Sequence, residues 1–382
     1  VKNIAVAVID TGSPTVNSNA WNATNFISGG YDFVSSTSNG DGNGIDNDPT
    51  DPDSNSSSGK SHGTHVATTI GVKNDSDGLN GMAVKVLPLR VFPTNGESAG
   101  LSDILNAIRY AAGLSNDSGS VAPTSTPVKV IILSLSGGSW DCSIFADVAA
   151  QGISVVAAAG NDGDESPGNL NYPASCANVI SVASTTALDE RAYYSQFNSA
   201  VDIAAPGGAT YEDTDGNGYV DGVPAYHNDT VIEFIQGTSM ASPHVAGAIA
   251  LMYAVDSNMN PSTVNSFLQN GYLTDDIGAT GKDDSFGYGR LNLSKAMEYT
   301  LDNIGDNSNT YFTTSPNYID YGDSLSQASI TLSKIGSGVL TVTSLTASDA
   351  TGLSYTRIAN TDGSGTYTIY LDRGSLPNGD YQ

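Results

Sequence analysis

The chain has 382 residues, with 14 Lys and Arg against 40 Asp and Glu and a formal net charge of -26. Nucleic acid and anionic membrane surfaces are thereby excluded as partners, because both are bound through a basic face. A hydrophobic fraction of 39% with 42 glycines suits a soluble, loop-rich protein of two or three domains, and no apolar run is long enough to cross a bilayer.

Val1 leads within three residues into the apolar run IAVAVI, an abrupt start that fits processing or trimming, and no leader-like segment opens the chain. Short apolar runs at 3–9 (NIAVAVI), 84–91, 129–135, 153–159 and 179–183 read as strands buried on both faces. Helical patterns lie between them, at 102–113 and around Ile144 to Ala150. This alternation predicts an α/β fold, a parallel sheet with helices on both faces. Ligands of such sheets bind beyond the carboxyl ends of the strands. Asp10 follows the first run, Ser134 closes the third and Asn161 follows the fourth, so their polar groups would share one rim.

Further along, GTSMASPHVAG (237–247) runs into the apolar AIALMY, which predicts a helix beginning near Ser239. Pro243 is expected in its first turn, where a missing N–H costs little. Ser239 is then either a plain N-cap or a group placed where the helix terminus stabilises developing negative charge. From about residue 301 the periodicity stops. The runs SQASITLSKI, GVLTVTSLTA and GTYTIYLD alternate with turn residues, predicting an all-β, immunoglobulin-like sandwich left incomplete at NGDYQ. The expected domains are 1–300 and 301–382.

The chain has only four histidines, His62, His65, His227 and His244, so the search for a neutral-pH general base is short. AVIDTG (7–12) supplies a carboxylate, SHGTHVA (61–67) an imidazole with Gly63 beside it for close backbone approach, and Ser239 a hydroxyl. A serine hydroxyl becomes nucleophilic when an imidazole takes its proton, and a carboxylate fixes that imidazole's tautomer. Asn161, in AAAGN, could donate to an oxyanion. Asp-Thr-Gly also occurs in aspartic proteases, but a second such motif is missing. A zinc peptidase would need Glu where Gly63 stands.

Asp interleaved with Asn and Gly suits cation loops as well as a salt-adapted surface. DTDGNGYVDG (213–222) sets Asp213, Asp215, Asn217, the Tyr219 carbonyl and Asp221 at the first, third, fifth, seventh and ninth positions of an EF-hand-like loop, with Gly218 at the sixth. Its twelfth position is Pro224 instead of Glu; a solvated hairpin tip is the alternative. DGNGIDNDPTDPD (41–53) offers Asp41, Asn43, the Ile45 carbonyl and Asp46, with Asp48 and Asp51 nearby, against a disordered acidic loop. Two cysteines, Cys142 and Cys176, allow one disulfide in an oxidising compartment or two buried thiols.

Taken together, AVIDTG, SHGTHVA and GTSMASPHVAG, in the order Asp, His, Ser, resemble the subtilisin-like serine peptidases, the subtilases, over roughly residues 3–299. The resemblance implies a subtilisin-like fold, with Asp10 as orienting acid, His62 as base, Ser239 as nucleophile and Asn161 as oxyanion donor. His65 and His244 become structural helix residues. SLSGG (134–138) and AAAG (157–160) resemble the walls of the primary specificity pocket, which singles out Ser134, Leu135, Ser136, Ala158 and Gly160. NGESAG (95–100) resembles the edge that pairs with extended substrate through Ser98, Ala99 and Gly100. YPASC (172–176) resembles a family turn with a cis bond at Pro173. Departures from the family pattern are Thr68 for glycine, Ile132 for asparagine and Ser136 for glycine.

Similar placements in secreted subtilases pair Cys142 with Cys176. The acidic loops resemble calcium-binding insertions, and NDSDG (74–78) lies where the family often has another. The implied protein is a secreted, monomeric, calcium-stabilised serine endopeptidase of broad specificity acting on proteins and peptides, with no metal in its chemistry. A selective processing peptidase and an inactive binding scaffold are the alternatives. Recognition of basic residues would call for acids in the pocket segments, and SLSGG and AAAG have none.

Overall fold

Alternate residues of the first strand face two separate cores. In β1 (Ala5–Asp10), Val6 and Val8 join Val66 and Ile70 of α2 (His62–Gly71) and Ala246 and Ile249 of α5 (Thr238–Val255). Ala5, Ala7 and Ile9 instead join Ile104 and Ile108 of α3 (Leu101–Ala111) and Phe145 and Val148 of α4 (Ile144–Ala150). Successive Cβ atoms of a strand point to opposite faces, so one unbroken apolar run feeds both layers. The structure, a computed structural model, describes residues 3–37, 40–54, 61–73, 79–82, 84–94, 98–303, 311–315, 327–335, 353–359 and 364–371.

The sheet also contains β2 (Tyr31–Asp32), β3 (Lys85–Arg90), β4 (Val128–Leu133), β5 (Ser154–Ala158), β6 (Val179–Thr185) and β7 (Ile203–Pro206). Its spatial order runs β2-β3-β1-β4-β5-β6-β7, all parallel, and continues into the short β11 (Arg290–Leu291) and the antiparallel β10 (Thr274–Asp275). The order turns at β1, with β3 on one side and β4 on the other. Such a switch leaves a crevice beyond the strand ends, and β1 ends there in Asp10. A hairpin of β8 (Val223–Tyr226) and β9 (Ile232–Ile235) packs against α2 through His65. Three further helices, α1 (Asn19–Ala23), α6 (Pro261–Gln269) and α7 (Leu293–Asn303), complete the set among the described residues.

By its contacts the chain divides into Val1–Thr300 and Leu301–Gln382. Among the described residues, the second unit is one antiparallel sheet of β12 (Tyr311–Ser315), β13 (Gln327–Ile335), β15 (Gly365–Leu371) and β14 (Leu353–Ala359), in that order. Tyr367 and Leu332 are buried on it. The predicted runs SQASITLSKI and GTYTIYLD correspond to β13 and β15, whereas GVLTVTSLTA lies outside the described residues.

Candidate active site

Asp10 ends β1 with 1% of its surface exposed, and both its oxygens face His62 Nδ1, at 2.9 and 3.0 Å. Thr11 N–H donates to Asp10 Oδ1 at 2.7 Å, fixing the carboxylate from behind. His62 is the first residue of α2, and Gly63 N–H donates to Thr11 Oγ1 at 3.0 Å. A Cβ on Gly63 would stand 2.8 Å from Gly12 O and 3.0 Å from Asp10 Cβ, so only glycine lets the helix terminus come this close. The bond to Asp10 assigns the Nδ1–H tautomer and leaves Nε2 as a proton acceptor. Burial lowers the imidazole's basicity, but the charge and hydrogen bond of Asp10 outweigh it, and the pKa stands above 6.5.

Ser239 is the second residue of α5, 9% exposed. Pro243 is not in the first turn as expected: α5 starts at Thr238, so the proline lies within the helix. Its missing N–H deprives the Ser239 carbonyl of an i+4 donor, and Ser134 Oγ donates to that carbonyl instead, at 3.1 Å. In return Ser239 Oγ donates to Ser134 O at 3.2 Å. The hydroxyl therefore rests on the end of β4, and no bond to His62 is made. Apo sites commonly hold this contact open until substrate binds.

Asn161 is exposed just beyond β5, and its Oδ1 accepts from both the N–H and the Oγ1 of Thr238, each at 2.9 Å. Thr238 Oγ1 accepts in turn from Gly160 N–H at 3.2 Å. With its oxygen occupied, the amide presents Nδ2 outward as a donor beside the start of α5. Thr238 was missed by sequence reasoning. Its only signal was its place immediately before the serine.

Ser98, Ser134, Leu135 and Ser136 line a cleft of about 390 Å³ with Asp10 and His62, whereas Ala99, Gly100, Ala158 and Gly160 are not among its lining residues. Ala99 packs on the core beside α3 and Gly100 is that helix's N-cap. Ala158 and Gly160 are buried at the end of β5. Gly160, at φ +113, has Asn171 Nδ2 where a Cβ would be. Ser136 is exposed, Ile132 is a core residue and Thr68 Oγ1 donates to the His65 carbonyl at 3.2 Å. The Tyr172–Pro173 bond is cis, and Cys142 is disulfide-bonded to Cys176.

The other histidines serve elsewhere. His65 Nε2 donates to Val223 O at 3.0 Å, and burial pushes its pKa down to about 3. His227 Nδ1 pairs with Glu233 at 2.7 Å, and His244 Nδ1 donates to Met240 O at 2.9 Å.

Asp213, Asp215 and Asp221 bring carboxylate oxygens within 4.8 Å of one another, the one such cluster among the described residues. Asn217 Oδ1 is engaged by Tyr219 N–H at 2.8 Å, and Gly216 and Gly218 take positive φ. The donors are all hard oxygens, as a calcium ion requires. The residues at 41–51 are not gathered in this way. Asp41 lies 3.7 Å from buried Arg90, and Asp46 accepts from Asp48 N–H at 2.7 Å and from Asn43, while Ile45 packs on the core. Asp51, expected in that set, lines the cleft beside His62 instead, because Asp51 N–H donates to Ser13 O at 2.9 Å and draws the loop onto the end of β1. NDSDG (74–78) lies outside the described residues.

A family model described as the subtilase family matches residues 1–289. An extracellular protease of Xanthomonas campestris pv. campestris is 38% identical over 286 residues, 69% of this chain and 46% of that protein. Thermitase of Thermoactinomyces vulgaris is 34% identical over 300 residues, 77% of this chain and 88% of thermitase. Among solved structures, a protease of Pseudoalteromonas arctica superposes with a TM-score of 0.65 at 34% identity, covering 78% of this chain and 90% of its own. This chain thus spans less than half of the Xanthomonas protease but most of thermitase. A carboxylate–imidazole pair at the switch point, a serine on the neighbouring helix terminus and these matches lead to one conclusion: the chain belongs to the subtilase family of serine peptidases.

Proposed function

We propose that the chain is a secreted serine endopeptidase that cleaves proteins and peptides through Ser239, His62 and Asp10, with Asn161 as oxyanion donor. The observation that carries this reading is the Asp10–His62 pair at 2.9 Å, which orients Nε2 as a proton acceptor beside the cleft that Ser134 lines, with Ser239 Oγ held on the Ser134 carbonyl. A turn about the Ser239 Cα–Cβ bond exchanges the Ser134 carbonyl for Nε2 as acceptor. Ser239 Oγ then attacks the scissile carbonyl carbon while its proton passes to His62, and Asp10 stabilises the imidazolium. The carbonyl oxygen becomes anionic and is held by Asn161 Nδ2 and the Ser239 N–H, since the N–H groups of Thr238 and Met240 are already given to Asn161 Oδ1 and Gly237 O. Collapse breaks the C–N bond, His62 returns the proton to the departing amine, and water repeats the sequence to release the acid.

Calcium at Asp213, Asp215, Asn217, the Tyr219 carbonyl and Asp221 would neutralise clustered charge and stiffen the loop before β8, and it supplies nothing to the chemistry. Secretion is supported by the disulfide and by the Xanthomonas relative, which is named an extracellular protease. No helix among the described residues is long and apolar enough to cross a membrane. The protein acts as a monomer, without nucleic acid or membrane partners. Labelling with a fluorophosphonate tests the reading: native protein should react and Ser239→Ala should not. Labelling of neither rejects it in favour of an inactive scaffold, and equal labelling of both rejects Ser239 as the nucleophile.

A further inference from the structure

The cleft beside His62 carries two acids that catalysis does not use. Asp51 and Asp53 line it together with Phe92, Pro93 and Ser98. Asp10, the third acid there, is committed to His62. Asp51 is 5% exposed; it accepts from Asp53 N–H at 3.0 Å and has the hydroxyls of Thr11 and Ser61 beside it. No Lys or Arg among the described residues pairs with Asp51 or Asp53. A buried carboxylate facing a cavity without a cation is costly unless something brings the cation.

We propose that this part of the cleft is a cation-selecting subsite. It takes the side chain of a substrate lysine or arginine next to the residue seated between 134–136 and 158–160. The proposal rests on the serine-peptidase reading above. Lys and Arg carry a long apolar stem and a charged end. Phe92 and Pro93 offer a surface for the stem, and Asp51 and Asp53 receive the charge. The net charge of -26 also draws cationic segments toward the protein. Selectivity for basic residues therefore need not come from the primary pocket, whose segments lack acids. It comes from the 51–53 turn, held against the strand ends by Asp51 N–H donating to Ser13 O at 2.9 Å.

Three fluorogenic peptides differing only at that position, with lysine, norleucine or glutamate, test the proposal. The expected kcat/KM for lysine exceeds that for norleucine by about tenfold, the scale of one charge-assisted hydrogen bond, and glutamate is the poorest. Raising the salt concentration should shrink the preference. Asp53→Asn and Asp51→Asn should each bring the lysine-to-norleucine ratio toward one. Asp53 is only partly buried, so its variant and the ratio in the native protein decide the matter if Asp51→Asn does not fold. A ratio near one in the native protein, with norleucine peptide cleaved, overturns the subsite and leaves the peptidase reading standing. A preference that survives Asp53→Asn undiminished also overturns it. Absence of both hydrolysis and fluorophosphonate labelling overturns both readings.

Discussion

Ser134 and Ser239 are joined twice, each hydroxyl donating to the other's carbonyl, at 3.1 and 3.2 Å. One half of this exchange anchors the start of α5 where Pro243 leaves a carbonyl without a helical donor. The other half holds the proposed nucleophile in reserve. Ser134→Ala removes the anchor and keeps the resting acceptor, which is a backbone carbonyl. The expected result is a several-fold fall in kcat with little change in KM, and a loss of about 1 kcal/mol of stability. Steady-state kinetics and thermal unfolding measure both. An unchanged kcat would show that α5 is positioned without this bond.

Asn161→Ala should lower kcat by about 10²–10³-fold with KM nearly unchanged, since the donor acts on charge that develops only in the transition state. Thr238→Val keeps Asn161 but removes one of the two bonds that aim it. A smaller loss, near tenfold, is expected there, again in kcat. If Thr238→Val raises KM and leaves kcat alone, the aiming role is wrong.

His62 must be neutral to accept the Ser239 proton, and Asp10 holds its pKa above 6.5. Activity should therefore rise with pH, with the midpoint of the acid limb of kcat/KM above 6.5. Asp10→Asn removes the charge that raises the pKa, so the limb should move to lower pH while the plateau falls. A pH profile of the native protein with its acid limb centred below 6.5 would contradict the pairing.

Chelation should lower the unfolding temperature and speed autolysis, while initial rates taken immediately afterwards stay near normal. Three carboxylates within 4.8 Å repel one another unless a cation sits between them. A site filled at a hundred times its Kd adds ~2.7 kcal/mol to stability, a sizeable part of the ~5–15 kcal/mol typical of a folded protein. Asp213→Asn with Asp215→Asn should weaken the response to chelator. A melting curve indifferent to chelator in the native protein would mean that this loop is solvated surface.

The strands and the rim were legible in the sequence because they depend on local chemistry. Runs such as IAVAVI can only be buried on both faces, and a polar residue ending such a run falls at the rim formed by the carboxyl ends of the strands, as Asp10 and Ser134 do. The glycine beside His62 was legible for the same reason, since only a missing Cβ permits that approach. Three features belonged to the tertiary structure alone. Pro243 read as a tolerated first-turn proline, and its consequence appears only when Ser134, 105 positions earlier in the chain, reaches the freed carbonyl. Thr238 acquires its bonds to Asn161 because α5 begins beside the end of β5, across 77 positions. Asp51 sat among acids that read as one cation loop, yet a backbone bond to Ser13 carries it to the cleft while Asp41 turns to Arg90. Hydrophobic periodicity and helix capping act over a few residues, whereas these contacts join segments brought together only by the order of strands in the sheet.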